Sequence, residues 1–208
     1  MIELTNVCKS YGDKKIFDNF NLKIDDNDYV IFSGNSGCGK TTLLNMIGSI
    51  ESLDSGKIIV DGIDISNKKN QFIYFRTKVG FLFQNFALIE NKTVNENLKM
   101  IKKSCASGIS IEEALKRVGL ADKIDQKVYT LSGGEQQRIA LARLMIKKCD
   151  IILADEPTGS LDKDNAKIVL DILDDFYSSG KTIILVTHYE DIKKSGRKVV
   201  ELCPKKMA

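Results

Sequence analysis

The chain has 208 residues, 43% of them hydrophobic and 28% charged, and Lys+Arg 31 against Asp+Glu 28 leaves a formal net charge of +3. At roughly 150 residues per domain this is ~1.4 domains, meaning one large unit or one unit with an inserted lobe, long enough to bury a core without disulfide staples. Such a composition excludes disorder and collagen-like repetition, and so small a charge excess, carried mostly by Lys rather than Arg, gives no argument for nucleic acid.

The first residues, Met1-Ile2-Glu3-Leu4-Thr5, lack a basic start followed by an apolar run, so no secretory signal is expected. No apolar run reaches the ~18 residues of a membrane-spanning helix. The five cysteines (Cys8, Cys38, Cys105, Cys149, Cys203) show no CxxC or Cys/His metal spacing, and a reduced, cytosolic protein is expected.

In chain order, Ile2 to Val7, Ile16 to Ile24 and Tyr29 to Ser33 read as strands, by alternation or by β-branched content. Tyr29-Val30-Ile31-Phe32 is continuously apolar, the pattern of a strand buried on both faces. Leu43 to Ile47 reads as helix, and Ile58 to Val60 and Val79 to Phe83 as further strands. From about Thr93 to Lys148 the apolar residues take helical spacing. Ser110-x-x-Glu113 and Ser132-x-x-Glu135 form two capping-box patterns, with Gly119 placed to close the first helix. Strand and helix then alternate again: strand Ile151 to Asp155, helix Asn165 to Tyr177, strand Thr182 to Thr187, strand Val199 to Leu202. The pattern predicts an α/β core with an all-helical lobe inserted between Gln84 and Asp150.

Between the third strand and the first helix runs Gly34-Asn35-Ser36-Gly37-Cys38-Gly39-Lys40-Thr41-Thr42, the Walker A pattern G-x-x-x-x-G-K-[ST]. Its glycines let the backbone curl, and successive N–H groups with the positive helix end make an anion nest. Lys40 is placed to reach the β/γ-phosphates of a nucleotide, and the Thr41 hydroxyl to bind Mg²⁺. Ile151 to Glu156 is an apolar strand ending in two carboxylates. Strand alternation should point Asp155 and Glu156 differently, so that one holds Mg²⁺ and the other polarises water. Leu131-Ser132-Gly133-Gly134-Glu135 places a Ser cap and two glycines, both expected to expose backbone donors, at a helix start, a second phosphate-binding helix end on one chain.

With its continuation to Arg143, LSGGEQQRIALAR resembles the signature of ABC-type ATPases, the ATP-binding subunits of ABC transporters. Glu135 stands where Gln is commonest in that family. The resemblance implies a P-loop NTPase core (residues 1–84 and 150–208) with an N-terminal antiparallel β subdomain and a helical signature subdomain (about 85–149), together one ABC ATPase domain. It implies a head-to-tail dimer, with ATP between the Walker A of one copy and Ser132, Gly133 and Gly134 of the other. By the same resemblance Tyr11 stacks on adenine, Gln84 touches Mg²⁺ with Thr41 and Asp155, and Asp162 lies in the loop crossing the dimer interface. Glu156 is then the general base, and His188 contacts the γ-phosphate, with Lys40 stabilising the charge that develops there.

Asp155-Glu-Pro-Thr-Gly-Ser-Leu-Asp162 and Gly80 to Phe86 look like the branch serving lipoprotein release, cell division, and macrolide or antimicrobial-peptide export. Export of a peptide or drug through a separate integral-membrane permease is the expected function, at the cytoplasmic face of a bacterial plasma membrane. The alternatives are a regulatory ATPase controlling cell-wall hydrolysis, and lipoprotein release. No nucleic acid is expected, because the stretch from Gln84 to Leu131, 47 positions on, cannot hold a long coiled coil. Among Phe81, Phe83, Phe86, Leu88 and Ile89, those after Gln84 should form an apolar groove for the permease.

Overall fold

The computed structural model describes residues 1–188 and 197–202; residues 189–196 and 203–208, part of the expected 150–208 segment, lie outside the described residues. Two sheets organise the chain. Strands β1 (Ile2–Tyr11), β2 (Lys14–Ile24), β4 (Ser55–Val60) and β5 (Ile63–Asp64) form an antiparallel sheet in the order β2-β1-β4-β5. Strands β3 (Tyr29–Ser33), β6 (Val79–Leu82), β7 (Ile151–Asp155), β8 (Thr182–Val186) and β9 (Lys198–Glu201) form a parallel sheet in the order β6-β7-β8-β3-β9.

Period-2 alternation divides the parallel sheet between two cores. Val30, Phe32, Leu153, Ile184 and Val186 face the first, which holds the antiparallel sheet, helix α1 (Lys40–Ile47) and Tyr74 of helix α2 (Lys68–Thr77). Tyr29, Ile31, Ile152, Ala154, Ile183 and Leu185 face the second. That core contains residues of α3 (Val94–Leu98), α4 (Ile111–Arg117), α5 (Gly133–Ile146) and α6 (Lys163–Ser178). A strand serving both cores must be apolar at every position, and all five residues of β3 are buried. Between β6 and β7 the described residues hold no strand, only helices, three short 3-10 turns and two isolated bridges. Among the described residues no helix is long and apolar enough to cross a membrane.

One local expectation needs correction. At Ser110 only half of the capping box forms: its hydroxyl accepts from the Glu113 N–H, but the Glu113 carboxylate pairs with Arg117 one turn on. Helix α2, not singled out in the sequence, starts at an Asn67 side-chain cap and fully buries only Tyr74, whose hydroxyl donates to the Ile47 carbonyl at 2.8 Å, with Phe75 partly buried beside it. Phe72 and Ile73 on α2 stay exposed.

Candidate nucleotide site

The loop between β3 and α1 turns inward through three left-handed glycines, Gly34 (φ 143°), Gly37 (φ 74°) and Gly39 (φ 99°). A Cβ on Gly39 would also sit 2.6 Å from the Ile16 Cγ2. Gly39 is the N-cap of α1, so no side chain caps that end, and its first turn holds no acidic residue. Its unpaired N–H groups and positive dipole end are therefore available to an anion. Lys40 is 5% exposed and donates to the carbonyls of Gly34 (2.9 Å) and Asn35 (3.0 Å), lying across the loop.

Beside the loop, β7 ends in the two carboxylates. Asp155 turns to α1 and accepts from the Thr41 hydroxyl at 3.1 Å. Burial pushes its carboxyl above the usual carboxylate range, opposed first by that hydrogen bond and then by the charges of Lys40 and His188. Glu156 turns the other way, with its N–H on the Val186 carbonyl and its Oε1 2.7 Å from the His188 Nε2. Its φ of +47° is a left-handed conformation that costs a side-chain-bearing residue free energy, and such conformations cluster at working sites. One cleft of about 360 Å³ gathers Tyr11, the loop residues Ser36, Gly37 and Gly39 to Thr42, Glu156 and His188. Lys14 and Ile16, not singled out in the sequence, line it as well. They follow Tyr11 across the β1–β2 turn, the one local signal that could have found them.

Gln84, exposed just beyond β6, shares a second hollow of about 570 Å³ with Phe83, Phe86, Asp155 and Ser160. The chain after it turns through two left-handed residues, Phe86 (φ 61°) and Ala87 (φ 49°). Both carbonyls accept from the guanidinium of Arg143 on α5, a residue missed in the sequence reading. An apolar hollow of about 270 Å³ lies nearby, but its lining corrects the expectation. Phe81 and Phe83, stacked with centroids 5.1 Å apart, face it with Phe75, whereas Phe86 and Leu88 pack on the second core.

Ser132, Gly133 and Gly134 line neither the cleft nor the hollow beside Gln84. Ser132 and Glu135 form the full reciprocal capping box at the start of α5. Ser132 and Gly133 are exposed; Gly134, expected exposed, is buried, because Asn165 lies over it and a Cβ there would come 2.6 Å from the Asn165 Cγ. Asn165 also donates to Asp162, the exposed N-cap of α6, and accepts from Arg138 of α5. Gln137, buried on α5, donates to the Pro157 carbonyl at 2.9 Å, and its Oε1 accepts no hydrogen bond among the described residues. The α5 start is thus pinned to the segment that follows Glu156.

Known proteins share this arrangement. The sequence profile of the family described as ABC transporter matches residues 17–159. The macrolide export ATP-binding/permease protein MacB of Campylobacter jejuni is 37% identical over 209 residues, 97% of this chain and 33% of the relative. This chain therefore spans about a third of the length of such relatives. An uncharacterised ABC transporter ATP-binding protein of Methanocaldococcus jannaschii is 38% identical and 95% covered. The glutamine transport ATP-binding protein GlnQ of Bacillus subtilis is 38% identical over 90% of this chain and 80% of its own length. A dimeric, post-hydrolysis structure of the ATP-binding cassette MJ0796 bound to ADP and Pi superposes with a TM-score of 0.84 at 33% identity, covering 97% of this chain and 94% of that one. With a glycine nest, a paired carboxylate and histidine, and a capped signature helix in one α/β frame, the chain is an ATP-binding cassette and belongs to the ABC transporter family.

Proposed function

We propose that this cassette hydrolyses ATP at composite sites in a head-to-tail dimer and powers export through an integral-membrane permease. The observation that carries the reading is the division of the site. The Glu156–His188 pair opens onto the phosphate loop in one cleft, while Ser132 and Gly133 offer exposed helix-end donors that line no part of it. A second copy would close the cleft with those donors, as the dimeric state of the MJ0796 cassette supports.

In this reading the loop N–H groups and Lys40 hold the phosphates and offset charge building on their oxygens. Tyr11 takes the adenine. Glu156 orients and deprotonates the attacking water, and His188, 2.7 Å from the Glu156 carboxylate, holds the γ-phosphate. The Thr41 hydroxyl, the Asp155 carboxylate and the Gln84 amide oxygen are hard oxygen donors suited to Mg²⁺, a cation that binds through a few protein oxygens together with phosphates. Bound there, Mg²⁺ would neutralise phosphate charge. Asp162, capping α6 beside Asn165, lies on the face turned to the second copy.

The permease dock is the hollow lined by Phe75, Phe81 and Phe83, and the cassette works peripherally at the cytoplasmic face of the membrane. Macrolide-export relatives support a drug or antimicrobial-peptide cargo; the GlnQ relative supports an amino acid as the competing cargo. Purification of the native complex from membranes, followed by ATPase assay with candidate cargoes, is the test. A cassette that hydrolyses ATP as a strict monomer would overturn the dimer. Recovery with no membrane protein would overturn the motor role.

A further inference from the structure

An ammonium group lies buried under the one aromatic ring of the cleft. Lys9 in β1 keeps 6% of its side chain exposed. Its Nζ donates to the Glu51 carboxylate at 2.5 Å and to the Ser52 carbonyl at 2.9 Å, and the Asp54 Oδ1 is 3.8 Å away. The same Nζ sits 4.9 Å from the centroid of the Tyr11 ring, two residues along the strand and on the same side. Each partner holds the other's charge: Glu51 raises the Lys9 ammonium, and Lys9 first, with the Tyr11 hydroxyl assisting, lowers the Glu51 carboxyl.

A buried ion pair is a poor device for stability alone, since apolar side chains of equal volume do as well. Its placement supplies another use. Tyr11 is 48% exposed at the last residue of β1, where its backbone pairs with Lys14 across the turn and its hydroxyl reaches the Glu51 carboxylate. No other aromatic ring packs against it among the described residues. A strand end frays unless something fixes it. Here the segment after α1 does so: Asp54 accepts from the Ser10 N–H at 2.6 Å, and its own N–H donates to the Cys8 carbonyl at 3.0 Å. That segment is anchored in turn to α1 by the N–H groups of Ile50 and Glu51 on the Asn45 carbonyl. A continuous path thus runs from the phosphate loop through α1 and Glu51 to Lys9 and the ring.

We infer that Lys9, held by Glu51, is a positioning residue that fixes the Tyr11 ring at a set span from the phosphate loop, leaving the ring's other face to a planar base. The inference rests on Tyr11 being the adenine platform. Lys9 touches no phosphate, so its contribution depends on the base.

The test compares binding of ATP and of inorganic tripolyphosphate, each with Mg²⁺, to the full chain and to Lys9→Met, Lys9→Arg, Tyr11→Ala and the Lys9→Met/Tyr11→Ala pair. Lys9→Met should weaken ATP about five- to thirtyfold, the range from an exposed to a desolvated cation–ring contact, and leave tripolyphosphate unchanged. KM should rise more than kcat falls. Lys9→Arg should keep the preference for ATP, and the double variant should be no weaker than Tyr11→Ala. Should Lys9→Met not fold, Lys9→Gln, neutral yet able to donate to Glu51, carries the same expectation. Equal weakening of both ligands, or an unchanged preference in Lys9→Met while Tyr11→Ala loses it, overturns the role of Lys9. An unchanged preference in Tyr11→Ala removes the adenine platform itself, and the inference with it.

Discussion

At Lys40, α1 starts from a loop whose backbone has already curled inward, with a buried ammonium laid over it and no side chain on the free N–H groups. At Gly133, α5 starts at the surface, and Ser132 and Glu135 satisfy two of its backbone donors in advance. Both are helix N-termini with a glycine before or within the first turn. The first leaves its donors open for a charge in the cleft that Tyr11, Glu156 and His188 also line. The second is already stable and keeps only spare donors, facing outward. Glu135 adds a negative charge at that end, and the Ser132 N–H it accepts from is the first cause holding its carboxyl below the usual range. Such an end suits a weak, late contact rather than primary binding.

Substitutions can break this contrast. The largest effect is expected at Glu156→Gln, which should lower hydrolysis about a thousandfold, within the usual range for a general base, while keeping ATP bound. Gel filtration should then show an ATP-dependent dimer that persists. Next, Lys40→Ala should remove nucleotide binding by the isolated chain, about a hundredfold or more in Kd for loss of a charge-assisted contact. Gly133→Asp should leave that Kd within about twofold yet cut turnover more than tenfold, by placing a like charge where phosphate must approach. Equal effects of the two substitutions on monomer Kd would erase the distinction.

Smaller effects sharpen it. Gly39→Ala meets both a φ of 99° and a 2.6 Å clash with Ile16, and should cost about 2–3 kcal/mol in urea unfolding. Gly134→Ala meets at 2.6 Å the Asn165 amide that Asp162 and Arg138 hold, but regains helix propensity, and should cost about 1–2 kcal/mol.

The sequence announced the elements whose information is local. The continuous apolar run of β3 and the glycine loop after it needed no partner to be recognised. What stayed hidden depended on distant neighbours. Helix α2 has no periodic apolar stripe, because only Tyr74 and, in part, Phe75 reach inward while Phe72 and Ile73 stay exposed. Lys9 reads as a solvated strand residue until Glu51 and Ser52, more than 40 positions on, are seen to enclose it. The left-handed backbone of Glu156, Phe86 and Ala87 is imposed by what surrounds them, since none is a residue type that favours it. The exposure of Gly134 was misjudged for the same reason: Asn165 lies 31 positions further on.

Helix α5 is 14 residues long, about 21 Å from end to end. Near its far end Arg143 grips the two carbonyls that follow Gln84, and at its near end lie Ser132 and Gly133. A push on that gripped loop would travel along a stiff rod and displace the donors at its other end. On the dimer proposed above, α5 would act as a lever, with one arm at whatever presses on the loop and the other at a nucleotide held by the second copy.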